Sequence, residues 1–346
     1  MAGVACGLAC ACSASHPRAG RPAPLAISRA YGRSSQTSLA LLARDRQYEC
    51  VLRRHLVLVV AVMAVWGFNF VPIHWGLESF PPLLFAALRF TLVAIPAILF
   101  IKPPKIHWGY VVGVGLFLSA LQFSLLFVSM DQGLPAGLAS VVVQLQPLFT
   151  IGLAVVFLGE RPTRGQLLGS GIALAGIGVI AIGRADAVPL IAIFLAIAGS
   201  AAWGAGNVIV RKAQAPDPIA LLVWSSLVAI PPLLAMSLAF EGAPEAHLTG
   251  TGVAGLLYVA VLASGFGYGA WTWLLKHYET ATVAPFSLLV PVTGIGSAWL
   301  VLGEVPNTTE AVGAAIVLAG IAVLTGVLTA RPLPAHLLRR PAVGPH

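Results

Sequence analysis

One signature occurs twice in this chain, 144 residues apart. Pro147 precedes Leu158-Gly159-Glu160, Gly169 and Leu174-Ala175-Gly176-Ile177; Pro291 precedes Leu302-Gly303-Glu304, Gly313 and Leu318-Ala319-Gly320-Ile321. A looser echo lies upstream, where Trp66-Gly67 with Asn69 resembles Trp203-Gly204 with Asn207. The chain is therefore two copies of one apolar unit, an arrangement on which many solute carriers are built. Such duplication points to moving a solute rather than transforming one.

Only 9% of the residues are charged, 58% are hydrophobic, and the mean hydropathy is +0.91. Soluble domains carry about 25% charged residues. A chain this poor in charge cannot cover a water-facing surface, so it belongs in lipid. Its apolar runs are long and lack two-residue alternation, which selects a helical bundle over a β-barrel. The formal charge of +8 does not call for nucleic acid, because eight of the 20 basic residues precede the first apolar span. The rest sit mostly in short loops, where positive charge sets membrane orientation. Cys6, Cys10, Cys12 and Cys50 lack a second Cys/His half, so neither a metal site nor a cofactor is expected.

Spanning the hydrocarbon takes about 20 helical residues. Ten stretches meet that length, near 55–76, 82–101, 108–130, 135–158, 165–183, 189–210, 218–240, 252–274, 281–302 and 310–330. Five spans per unit is an odd number, so the second copy enters the membrane upside down. Loop charges agree with a cytoplasmic start. Inside loops then hold Lys102, Lys105, Arg161, Arg164, Arg211, Lys212 and Lys276, while outside loops hold Glu78, Asp131, Asp186, Glu241 and Glu245 beside a single Arg184. The expected fold is an all-α integral membrane protein of ten transmembrane helices, arranged as two inverted five-helix repeats, 51–183 and 184–330. Both termini, including a tail at 331–346, are cytoplasmic. Residues 1–50 are rich in Arg, Ser, Ala and Pro, a composition that resembles a transit peptide. The simpler reading is a translation start near Val51, and the N-terminal mass of natively expressed protein separates the two.

Arg89 is the costliest residue to bury. It lies about 10 Å into the second span at 1.5 Å per residue. One reading has it attract the carboxylate of a substrate; the other has it lock onto Asp131 or a carbonyl, or snorkel outward. Trp66 and Asn69 share a helical face, as do Trp203 and Asn207. They supply either an apolar wall with an amide for a small polar solute, or helix contacts at Gly67 and Gly204. Gln144 and Gln146 are two apart and face differently, so at least one ties helices together; Gln122 and Gln144 are the pair assigned to a cavity. Tyr268 shares a face with Trp271, and Trp273 near Lys276 reads as an interfacial anchor. Glu160 and Glu304 end paired spans and are expected to be solvated. Pro147, Pro231, Pro232, Pro285 and Pro291 bend helices. Motifs for metalloprotease, serine hydrolase or phosphate-loop chemistry are absent from the sequence.

The paired Leu-Gly-Glu and Leu-Ala-Gly-Ile strings resemble the EamA-type branch of the drug/metabolite transporter superfamily, over about residues 51–330. Trp66-Gly67-Phe68-Asn69-Phe70-Val71, Leu88-Arg89-Phe90, Pro135-Ala136-Gly137-Leu138-Ala139-Ser140 and Ala284-Pro285-Phe286-Ser287 are similar to the exporters of O-acetylserine and cysteine within that branch. The resemblance implies a bacterial inner-membrane secondary transporter, with a small-molecule substrate held between two halves that open alternately. On that expectation Arg89, Trp66, Asn69, Gln122, Gln144, Trp203, Asn207 and Tyr268 bind the substrate. A homodimer is compatible with the chain. The rival functions are broad drug or toxic-analogue efflux and, from another class, a non-transporting membrane scaffold or sensor.

Overall fold

The computed structural model describes residues 53–183, 188–242, 247–278 and 283–326. The N-terminal extension, the tail at 331–346, Arg184, Asp186 and Glu245 lie outside the described residues, all of whose regular structure is helical. Among the described residues, ten apolar helices follow in chain order: α1 His55–Leu77, α2 Pro82–Ile98, α3 Trp108–Asp131, α4 Ala136–Leu158, α5 Arg164–Gly183, α6 Leu190–Ala213, α7 Pro218–Phe240, α8 Gly250–Leu275, α9 Phe286–Leu302 and α10 Thr308–Leu324. Seven have the length and apolarity to cross a membrane; α2, α9 and α10 are shorter.

Prolines and small residues shape these rods. Pro147 has no N–H, and its ring clashes with the carbonyl four residues back, so α4 tightens over Val143–Leu145 before continuing. Pro291 acts alike in α9, which begins in the tight turn Ala284–Leu288. Having no N–H, Pro291 cannot close a helical bond onto the Ser287 carbonyl, and Gln144 Nε2 donates to that oxygen at 3.2 Å. The break at Pro291 thus lets α4 tie to α9. Wide turns interrupt α3 over Gly115–Leu121 and α8 over Tyr258–Gly267, a feature often found where a helix serves a functional site.

The repeated glycines are crossing points. A Cβ on Gly169 would stand 2.5 Å from the Gly320 carbonyl oxygen, and one on Gly176 would stand 2.8 Å from that of Gly313. Each signature glycine of α5 therefore meets the other signature glycine of α10, and the two helices cross antiparallel with their backbones in contact. The Trp-Gly echo marks a second pair of crossings. A Cβ on Gly67 would strike Thr293 of α9, and one on Gly204 would come within 2.7 Å of Phe149 of α4.

Inter-helix contacts define two ends of the bundle. At one end Trp224 Nε1 donates to the Ile101 carbonyl, Arg211 pairs with Glu160, and His55 meets Tyr278. Lys102, Lys105, Arg161, Arg164 and Lys212 lie in or beside the loops of this basic end. At the other end Ser79 meets Thr249, Glu241 binds the start of α2, and Glu304 binds the start of α4. Glu78 and Asp131 sit there too. The expected solvation of Glu304 is corrected, since its carboxylate is held by backbone amides of α4.

Candidate functional site

Arg89 sits midway along α2 and is only 3% exposed. Its Nε and Nη2 donate to Ser264 Oγ at 3.2 and 3.0 Å. Ser264 belongs to the wide turn of α8, and its hydroxyl donates a hydrogen bond to the Val259 carbonyl at 2.8 Å. The Phe123 ring of α3 lies beneath the guanidinium, with Cζ 3.7 Å from the ring centroid. That contact is favourable because the ring face is electron-rich, and a desolvated cation gains most from it. Two neighbouring helices, α8 and α3, thus hold the guanidinium. Its Nη1 is buried and has no hydrogen-bond partner.

The internal lock to Asp131 is not made. Asp131 is exposed at the acidic end, and among the described residues no carboxylate pairs with Arg89.

Arg89 lines a cavity of about 430 Å³ walled by α2, α3, α7 and α8. Tyr268 and Ser264 line it from α8, Ser119 and Phe123 from α3, and Ser226 from α7. From Arg89 the cavity runs past Thr272 to Phe100, Ile101 and Ile219, which lie toward the basic end. Its walls are mainly apolar, with hydroxyls as the other polar groups. A largely apolar pocket with a few convergent polar groups has the general form of a small-molecule site.

The other sequence-derived candidates stand outside this cavity's wall. Trp66 backs onto it: its ring lies 5.3 Å from that of Tyr268 and 5.7 Å from that of Trp271, and its Nε1 donates to the Ala263 carbonyl at 3.0 Å. Asn69 falls where α1 is interrupted, and its Oδ1 is buried without a partner. Gln122 is buried in α3. Gln144 is committed to Ser287. Asn207 Nδ2 donates to Gln146 Oε1 at 2.7 Å and to Thr150 Oγ1 at 3.2 Å, which fastens α6 to α4. Trp203 packs half-buried against the main core. The structure therefore gathers Arg89 and Tyr268 at the cavity, with Trp66 behind them, and spends Gln144 and Asn207 on cross-repeat bonds. Ser264 and Phe123 carried no sequence signal beyond their place in apolar spans.

Comparison with known proteins agrees with this architecture. The chain is 42% identical over 284 residues to a protein named as a probable amino-acid metabolite efflux pump in Salmonella typhimurium, covering 78% of this chain and 94% of that one. It is 39% identical over 280 residues to the Escherichia coli protein of the same name, with the same coverage of both chains. A probable terminal-alkyne amino-acid exporter of Streptantibioticus cattleyicolor is 26% identical over 273 residues, 76% of this chain and 90% of that one. A solved crystal structure superposes with a TM-score of 0.57 at 20% identity, covering 80% of this chain and 98% of the other, a likeness of fold alone. The model of the EamA-like transporter family matches twice, at residues 53–182 and 190–326. This chain, a multi-pass membrane protein and a transporter rather than an enzyme, belongs to the EamA-like transporter family.

Proposed function

We propose that the chain exports small amino acids or their derivatives, of the O-acetylserine and cysteine kind, across the bacterial inner membrane by alternating access. The observation that carries this reading is Arg89, a buried cation in the middle of an apolar helix that lines a cavity and whose Nη1 has no hydrogen-bond partner. Intramembrane cations commonly mark substrate pathways, and a guanidinium N–H is suited to a carboxylate. The names borne by the Salmonella, Escherichia and Streptantibioticus relatives support cargo of this class.

On this reading the chain crosses the membrane ten times in two inverted repeats, 51–183 and 184–330, with both termini cytoplasmic. The antiparallel α5–α10 crossing through equivalent glycines supports the inversion. Lys102, Lys105, Arg161, Arg164, Arg211 and Lys212 at one end support a cytoplasmic assignment for it. The cavity then extends from Arg89 toward the cytoplasm, where cargo for export is loaded. Arg89 takes the carboxylate and Tyr268 walls it. Trp66, Asn69, Gln122 and Trp203 flank the passage between the halves, while Gln144 and Asn207 brace it.

The test is uptake of labelled O-acetylserine and cysteine into proteoliposomes, with and without an imposed pH gradient. Saturable uptake that Arg89→Ala abolishes is expected, with the variant protein still in the membrane. Normal uptake by that variant removes Arg89 from the mechanism. Absence of flux for every amino-acid derivative, from folded protein, sinks the exporter reading. The mainly apolar cavity walls also suit broad drug efflux, which flux of uncharged or cationic drugs without amino-acid flux would establish instead.

A further inference from the structure

We propose that Glu160 and Glu304, the carboxylates of the duplicated Leu-Gly-Glu signature, are alternating latches. Glu304 holds the acidic end shut in the conformation described above, and Glu160 holds the basic end shut when the acidic end opens. The inference rests on the alternating-access reading and names the side chains that set its balance.

The two copies end their helices in the same way. Gly159 and Gly303 both adopt the left-handed conformation, at φ 67° and 71°, which stops α4 and α9 and turns the next residue away from the helix. Glu160 N–H then donates back to the Ala154 carbonyl at 3.4 Å, and Glu304 N–H to that of Ala298 at 3.2 Å, positions 144 apart. Their carboxylates nevertheless meet different fates. That of Glu304 receives the first amides of α4, those of Ala136 and Gly137, from the other repeat. That of Glu160, with its side chain 44% exposed, pairs in solvent with Arg211. One backbone geometry with opposite engagement at opposite ends is what an inverted repeat displays in one of its two states, because the halves exchange conformations as access switches.

The Glu304 tie lies where opening has to occur. It joins the second repeat to the first at the acidic end. Gly137 beside it is packed so closely that an added Cβ would stand 3.5 Å from Ala298 and from Glu304 Oε2. The start of α4 cannot leave α9 there without surrendering both hydrogen bonds, which are charge-assisted and favoured by the helix dipole. Because α9 ends at the acidic end, it starts at the basic end, the end where Glu160 stands. In the opposite state Glu160 leaves Arg211 and takes the start of α9, the repeat equivalent of α4. The exchange keeps the number of carboxylate-capped helix starts constant, so the two states stay close enough in energy for a carrier to visit both.

Sidedness of access reads this balance without any cargo. Ser226 lines the Arg89 cavity from α7, and its hydroxyl donates to its own helix at the Leu222 carbonyl. Ser226→Cys therefore serves as reporter in a full chain whose Cys6, Cys10, Cys12 and Cys50 are replaced by serine. A membrane-impermeant maleimide is applied to right-side-out vesicles, which present the acidic end, and to inverted vesicles, which present the basic end. Glu304→Gln keeps the size of the side chain but loses its charge and one acceptor, so labelling from the acidic end should quicken by roughly fivefold or more, as loss of a charged cap implies. Glu160→Gln should slow it by a similar factor, because it weakens the state being read. The double variant should return to within about twofold of the parent, the two effects opposing each other. If Glu304→Gln labels faster from both ends, it has loosened the whole bundle, and the Glu160→Gln arm alone decides. Acidic-end labelling that Glu160→Gln leaves unaltered or quickens overturns the latch, and leaves the exporter reading in place where the parent still carries O-acetylserine. Folded parent protein that labels from the basic end alone and carries no amino-acid derivative removes alternating access, and the latch with it.

Discussion

The Glu304 carboxylate accepts a hydrogen bond from the backbone amide of Ala136 at 2.9 Å, across 168 residues of chain. Its second oxygen accepts from Gly137, also at 2.9 Å. The first amides of a helix have no partner within it, and the helix dipole favours an anion at that end. Pro135 cannot cap α4 with its side chain, so a residue of the second repeat does so. Glu241 repeats the device at the start of α2, accepting from the amides of Leu83 and Leu84 at 2.6 and 3.1 Å. Both ties close the acidic end of the bundle, opposite the end toward which the Arg89 cavity runs. At the basic end Glu160, the repeat equivalent of Glu304, instead pairs with Arg211 in solvent.

Glu304→Ala should therefore cost about 1–2 kcal/mol of stability, the range for losing a helix cap with charge-assisted bonds. Glu160→Ala should cost less than about 1 kcal/mol, since exposed ion pairs contribute little. Thermal unfolding of the two variants in one detergent compares them directly. Equal losses would mean that Glu304 is no more than a surface charge.

The α5–α10 crossing predicts opposite outcomes for neighbouring glycines. A Cβ on Gly320 would stand 2.4 Å from the Ala173 amide nitrogen, whereas Gly171 and Gly178 face open space. Gly320→Ala should destabilise by roughly 1–3 kcal/mol through overpacking. Gly171→Ala should be neutral, or stabilising by up to about 1 kcal/mol from helix propensity. Melting temperatures measured side by side decide it, and a neutral Gly320→Ala would mean that the helices separate at no cost.

Pro291 and Gln144 should be coupled. The Ser287 carbonyl receives the Gln144 amide where Pro291 supplies no backbone donor. Gln144→Leu alone should cost about 0.5–1.5 kcal/mol, the usual net worth of such a bond. In a Pro291→Ala background the helix regains its own N–H, and the same substitution should cost about half as much or less. A double-mutant cycle on unfolding free energy measures the difference. Strict additivity would show that the two residues act independently.

How far the sequence could go follows from what each residue type reveals alone. Glycine and proline spacing marked the duplication because close crossings and helix breaks demand those residues at fixed positions, and Gly169, Gly176, Gly313 and Gly320 all fall at contacts. Arg89 was legible because a cation in an apolar span has few excuses. Its surroundings were not. Ser264 is 175 residues away, and a serine in an apolar helix is commonplace; what aims it is the wide turn Tyr258–Gly267, which no periodicity encodes. The amides misled for a related reason. Gln144 and Asn207 look equally suited to a solute or to a neighbouring helix, and only the packing reveals that Ser287 and Gln146 claim them. Trp203 and Trp66 repeat one motif, yet Trp66 alone stands beside Tyr268, and no local pattern tells the two copies apart.

Ser264 also supplies the last prediction, because it positions Arg89 rather than meeting substrate charge itself. Ser264→Ala leaves Nε and Nη2 without their acceptor, so the guanidinium loses its seat at two of its bonds. Hydrogen bonds to charged groups contribute about 1.5–3 kcal/mol, and part of that is regained when a carboxylate bridges the freed N–H groups. Uptake of O-acetylserine is then expected to fall by up to roughly tenfold, because the cation is no longer held in one orientation. Ser264→Thr keeps the hydroxyl and should restore it. Loss of stability without any change in uptake would make Ser264 a packing residue, whereas recovery of uptake by threonine would fix its role as the group that aims Arg89.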